Sequence, residues 1–107
     1  MTDSNIAQLQ LLQQNLQNVM VQKQQFQQEL MELESALKEL DNTEKSYQIV
    51  GKLMIAKDKE VLKKDLLDRQ EVVNLRIKSF DQQEKQFKES LEEIQKKALE
   101  EMKKDNN

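Results

Sequence analysis

The groups with acid–base chemistry to offer in this chain occur as adjacent pairs: Glu92-Glu93, Glu100-Glu101, Lys96-Lys97 and Lys103-Lys104. Two carboxylates held in a shared cleft can divide the roles of general acid and general base when their surroundings push their pKa values apart. These pairs are neighbours along helical sequence, so they read as solvated charge runs rather than as a pocket. The chain has no histidine and no cysteine. That removes the commonest general base, thiolate nucleophiles, disulfides and sulfur ligands for zinc. With a single glycine, Gly51, it has no glycine-rich phosphate loop, so ATP use is not expected. No catalytic residue, metal site or cofactor is expected, and the chain is not read as an enzyme.

The remaining chemistry is non-covalent recognition by apolar side chains, and it falls into two sets. The first is Ile6, Leu9, Leu11 and Leu12 near the start, with Ala98, Leu99 and Met102 near the end. Leucine and methionine adapt to apolar segments of varied shape, so this set suits binding of unfolded polypeptide. The second is Tyr47, Ile49, Val50, Leu53, Met54 and Ile55, set around Gly51. Its residue types suit strand pairing with other copies or other chains.

Both sets need elements to position them. Leu9, Leu12, Leu16, Val19, Lys23, Phe26, Leu30, Leu33, Leu37 and Leu40 alternate by three and four, which predicts an amphipathic helix over about 4–42. Asp3 or Ser4 can cap its first turn. Ten glutamines lie from Gln8 to Gln28, yet the apolar register runs straight through them, so the segment is not read as low-complexity coil. Over 46–56 the period changes to that of two short strands joined by a tight turn with glycine first. Tyr47 and Ile49 fall on one face of that hairpin, and Leu53 and Ile55 on the other.

Asp58 can cap a second helix over about 59–104. Its seam is Leu66, Val73, Phe80, Phe87 and Ile94, together with Gln70, Ile77, Glu84, Leu91 and Ala98. A single helix cannot bury such a seam, so the second helix must fold back on the first or another chain must cover both. An antiparallel register setting Leu9 against Ile94, Leu16 against Phe87 and Leu30 against Val73 satisfies both patterns. It puts the seam charges Lys23 and Glu84 one layer apart, either paired across the seam or turned out to water. Folding back would bring the two terminal apolar sets to one end. Off the seam, Val61, Leu62, Leu67, Val72 and Leu75 suit packing under the assembled strands or against a neighbouring subunit, the alternative being self-packing of the helix pair's first turns. The fold class is thus mainly α, a long antiparallel coiled-coil helical hairpin with one short β-hairpin between the helices, in a single domain over 1–107.

Composition agrees. Charged residues make up 35% of the 107-residue chain and aromatics 4%, too little bulky apolar surface for a conventional globular core. The absence of proline lets long helices run unbroken. A net charge of −3 offers no attraction to nucleic acid or to an anionic membrane. No apolar run approaches the roughly 20 residues of a membrane span, and no signal peptide is visible, so a cytoplasmic location is expected.

The order long helix, Tyr-Gln-Ile-Val-Gly-Lys-Leu-Met-Ile hairpin, long helix resembles the prefoldin family of hexameric chaperones, most closely over Ser46 to Leu66. The Gln-rich first helix, with Val21-Gln22-Lys23-Gln24, is similar to archaeal β-type subunits. In that family α-type subunits carry two hairpins and β-type subunits one. The roughly sixteen residues between Asn42 and Lys59 leave room for one, which implies the β class. The resemblance further implies a hetero-hexamer of two α-type and four β-type subunits, with the hairpins joined into a β-barrel. Coiled-coil tips would capture non-native client proteins and deliver them to a group II chaperonin. The end of the chain, Lys103-Lys104-Asp105-Asn106-Asn107, departs from the family pattern in lacking an extended apolar tail. The alternative reading is a structural coiled-coil tether or adaptor, which would need no strand pairing at 46–56.

Overall fold

The computed structural model describes residues 3–105. Helix α1 spans Asp3–Asp41, strand β1 Ser46–Val50, strand β2 Leu53–Lys57 and helix α2 Lys59–Asp105. These bounds lie within a residue of the expected ones. Asp3, Lys57 and Asp105 each extend their element by one residue, and α1 ends one residue earlier than expected. The capping role read for Asp3 concerns a side chain outside the described ones.

The end of α1 has no glycine, and its four last carbonyls find other partners, as a helix terminus requires. The Asn42 side-chain amide donates to the Lys38 carbonyl at 3.4 Å. The Asn42 and Thr43 backbone N–H groups donate to the carbonyls of Glu39 and Leu40. Lys59 donates to the Asp41 carbonyl at 3.4 Å. At the start of α2 the Asp58 carbonyl accepts the Leu62 N–H at 2.9 Å, which places Asp58 at the N-cap position expected for it. Glu60 in the first turn of α2 and Lys38 in the last turn of α1 complement the helix dipoles.

Between the helices, β1 and β2 pair antiparallel, Ser46 with Lys57 through Val50 with Leu53. Gly51 turns the chain with φ +59°, while no other described residue has a positive φ. A positive φ at the first central position alone is the requirement of a type II′ turn. A Cβ added at Gly51 would meet nothing within 4 Å, so the glycine is needed for its backbone conformation and not for space.

The chain divides into two compact units, and each contains a piece of both helices. The hairpin unit runs from Gln25 to Ile77; the terminal unit holds the residues up to Gln24 and from Lys78 onward. In the hairpin unit Leu33, Leu40 and Val73 are buried, with Phe26, Leu30, Leu37, Leu66, Gln70 and Ile77 half-buried. In the terminal unit Val19, Phe80 and Ala98 are buried, with Leu9, Leu12, Leu16, Lys23, Glu84, Phe87, Leu91 and Ile94 half-buried. Every seam position named from the heptads is therefore at least half-buried, the outcome expected of facing apolar stripes. In the terminal unit Asn5 bonds to Glu101 and Lys23 to Glu84; in the hairpin unit Glu29 pairs with Arg69 and Asp41 with Lys63. Within each unit the partner number falls as the α1 number rises, so α1 and α2 run antiparallel. These polar pairs lie within about a turn or so of the register read from the seam.

Candidate functional site: two exposed apolar surfaces

In the hairpin unit, direct cross-strand partners share a face. Tyr47, Ile49, Met54 and Ala56 therefore occupy one face, and Gln48, Val50, Leu53 and Ile55 the other. This is the division read from strand alternation. Tyr47, Ile49, Val50, Leu53, Met54 and Ile55 are all exposed, Ile49 to 71%. A two-stranded ribbon apolar on both faces is marginal in water by itself, and such exposure marks an interaction surface.

The base of the hairpin is tied to α2 by one side chain. Lys57 Nζ donates to Gln48 Oε1 at 2.9 Å and to Asp65 Oδ2 at 2.7 Å, while the Ser46 hydroxyl donates to the Lys57 carbonyl at 2.6 Å. The sequence reading missed Lys57. A cation at the last strand position with a carboxylate two helical turns on was the available signal. Along α2 in this unit Val61, Leu67, Val72 and Leu75 are exposed, whereas Leu62 is half-buried. Met31 on α1 is 68% exposed and was not singled out from the sequence.

In the terminal unit the chain's two helical ends come together, as the Asn5–Glu101 hydrogen bond of 3.3 Å records. Ile6, Leu11, Leu99 and Met102 are exposed; Leu9 and Leu12 are half-buried. A shallow open groove is lined by Gln8, Leu11, Leu12, Ser90, Glu93, Ile94 and Lys97. Ala98, grouped with this set from the sequence, is buried at 5% exposure and is not part of the exposed surface. Met20 and Val21 are further exposed apolar residues of α1 that the heptad reading passed over.

The same unit carries a cluster of four charged side chains. Lys23 Nζ lies 2.6 Å from Asp81 Oδ1 and 3.0 Å from Glu84 Oε2, and Lys88 Nζ lies 2.9 Å from Glu84 Oε1. Hydrogen bonds to Asp81 and then Glu84 hold the Lys23 amine above its ordinary pKa. Hydrogen bonds from Lys88 and Lys23 hold Glu84 below the ordinary glutamate value. In the hairpin unit Arg69 grips Glu29 with two bonds of 2.6 and 3.1 Å, which lowers the Glu29 pKa likewise. Among the described residues there is no cluster of acidic groups able to hold a metal ion and no helix long and apolar enough to cross a membrane.

Comparison with known proteins points one way. A family model described as "Prefoldin subunit" matches residues 3–105, across both units. The chain is 35% identical over 100 residues to the prefoldin subunit beta of Sulfurisphaera tokodaii, covering 91% of this chain and 80% of that one. It is 38% identical over 95 residues to the prefoldin subunit beta of Archaeoglobus fulgidus, covering 86% and 82%. The crystal structure of the prefoldin beta subunit from Thermococcus strain KS-1 superposes with a TM-score of 0.81 at 32% identity, covering 88% of this chain and 85% of that one. Two heptad-bearing helices, a single ribbon apolar on both faces between them, and these likenesses over most of its length establish that the chain belongs to the prefoldin subunit family.

Proposed function

We propose that this chain is the β-type subunit of an ATP-independent chaperone, a hetero-hexamer with an α-type subunit that holds non-native proteins and delivers them to a group II chaperonin in the cytoplasm. The observation that carries the reading is the ribbon of Tyr47, Ile49, Val50, Leu53, Met54 and Ile55, exposed on both faces in the single chain. With Gly51 at its turn, such a ribbon suits edge-to-edge pairing into an oligomeric β-barrel, where its apolar faces leave water. A coiled-coil tether has no use for it.

Clients are held at the helical ends in the terminal unit, on Ile6, Leu9, Leu11, Leu12, Leu99 and Met102. Exposed leucine and methionine support this, because they fit segments of many shapes. Weak contacts on several subunits add through effective concentration, so no single subunit needs a deep pocket. Holding a chain in this way needs no cofactor.

The test replaces Ile49 and Ile55, which lie on opposite faces of the ribbon, by aspartate. Light scattering of the unaltered chain mixed with an α-type subunit is expected to give the mass of a hexamer, and of the double variant only smaller species. An unchanged mass for the variant would refute assembly through the ribbon.

A further inference from the structure

Apart from Lys23, Gln70 and Glu84, the seam positions read from the heptads are apolar, and the structure brings the two charged ones together. Lys23 keeps 23% of its side-chain surface exposed and Glu84 only 15%, so each depends on its partners for solvation. Asp81 at 2.6 Å from Lys23 and Lys88 at 2.9 Å from Glu84 complete a set of alternating charge with no net excess. Among the described residues no buried side-chain nitrogen or oxygen is left without a hydrogen bond.

We propose that Lys23, Asp81, Glu84 and Lys88 form a pairing code that fixes the register and orientation of the two helices. In the register read from the heptads Lys23 lies opposite Phe80 and Glu84 opposite Val19, and each reaches diagonally to the other. Sliding one helix by a heptad sets Lys23 against Phe87 or Val73, and Glu84 against Phe26 or Leu12. The slide to Val73 puts Asn74 and Ile77 where Asp81 and Glu84 meet Lys23 and leaves both seam charges without a counter-charge, whereas the slide to Phe87 keeps Glu84 one layer away but puts Lys88 and Leu91 in those two places. Parallel association of two copies is opposed as well, because equivalent seam positions then meet: Lys23 faces Lys23 and Glu84 faces Glu84. Leucine at both positions would fill the seam better but would accept all of these arrangements. The cluster therefore exchanges stability for a single way of pairing.

The chain has no cysteine, so introduced pairs report register directly. Asn5→Cys with Glu101→Cys reports the native register, since the two positions face each other there, the Asn5 amide nitrogen reaching the Glu101 carboxylate at 3.3 Å. Asn5→Cys with Ile94→Cys reports a slide of one heptad. With the cluster intact, only the 5–101 disulfide is expected to form under mild oxidation. In the Lys23→Leu/Glu84→Leu background the melting temperature is expected to hold or rise, while the 5–94 disulfide and dimers cross-linked through position 5 appear. If the leucine background still gives only the 5–101 product at unchanged mass, the proposal fails. Charge reversal supplies a second test: Glu84→Lys should lower 5–101 disulfide yield, and inverting the other three members as well, with Lys23→Glu, Asp81→Lys and Lys88→Glu, should restore it. No restoration would equally overturn the code.

Discussion

Glu84 carries a testable consequence at the scale of the single residue. Its carboxylate and that of Glu29 are held below the ordinary glutamate pKa, by Lys88 and Lys23 in one case and by Arg69 in the other. A carboxyl with a depressed folded-state pKa binds fewer protons folded than unfolded in the interval between the two values. Its stabilising effect is therefore complete above the unfolded value and is lost as pH falls through the folded one. Melting followed by circular dichroism should show stability falling as pH drops below about 4. In the Glu29→Gln/Glu84→Gln variant the neutral-pH melting temperature should be lower and the acid loss smaller. An acid loss identical in both proteins would remove these two carboxylates from the account. The Lys23 end of the cluster gives the opposite sign: its raised pKa makes a contribution that persists at neutral pH and fades only as pH rises above about 10.

For the elements, helices and hairpin were legible for different physical reasons. The helices follow from period: leucines at threes and fours through a glutamine-rich segment leave one face to bury. The hairpin follows from a lapse in that period and from Gly51, whose φ of +59° an L-residue adopts at a cost. Gly51→Ala meets no steric obstacle, so its effect isolates that backbone cost, about 1–2 kcal/mol. The helices should keep their far-ultraviolet signal in this variant, with the loss read as weaker association with an α-type subunit. A loss of helicity instead would mean that the turn supports the helices directly. What stayed illegible was side-chain reach. Lys57 bridging Gln48 and Asp65 depends on how β2 leads into α2, and strand alternation does not describe that angle.

At the scale of the whole molecule, the family assignment rests on a match from 3 to 105, while the two proposed surfaces fall in different units. They should therefore separate by mutation. Truncation before Leu12 and after Ile94 removes Ile6, Leu9, Leu11, Ala98, Leu99 and Met102 and leaves the ribbon untouched. The truncated chain is expected to assemble with an α-type subunit to the reference stoichiometry yet suppress client aggregation several-fold less well, measured by turbidity. Undiminished protection would move client binding away from the helical ends while leaving assembly intact. The Ile49→Asp/Ile55→Asp variant should show the reverse pattern in mass.

By itself the sequence determined two helices, their seam and one glycine-turned ribbon. Those features are set by local period and by residue type, which need no knowledge of neighbours. Only the tertiary structure decided that Lys23 meets Asp81 as well as Glu84, that Ala98 is buried while Ile6, Leu99 and Met102 are exposed, and that one lysine ties the ribbon to α2. Each depends on where side chains from distant parts of the chain arrive. Heptad spacing assigns a residue to a face but not to a partner, and burial belongs to the packed pair rather than to either helix alone.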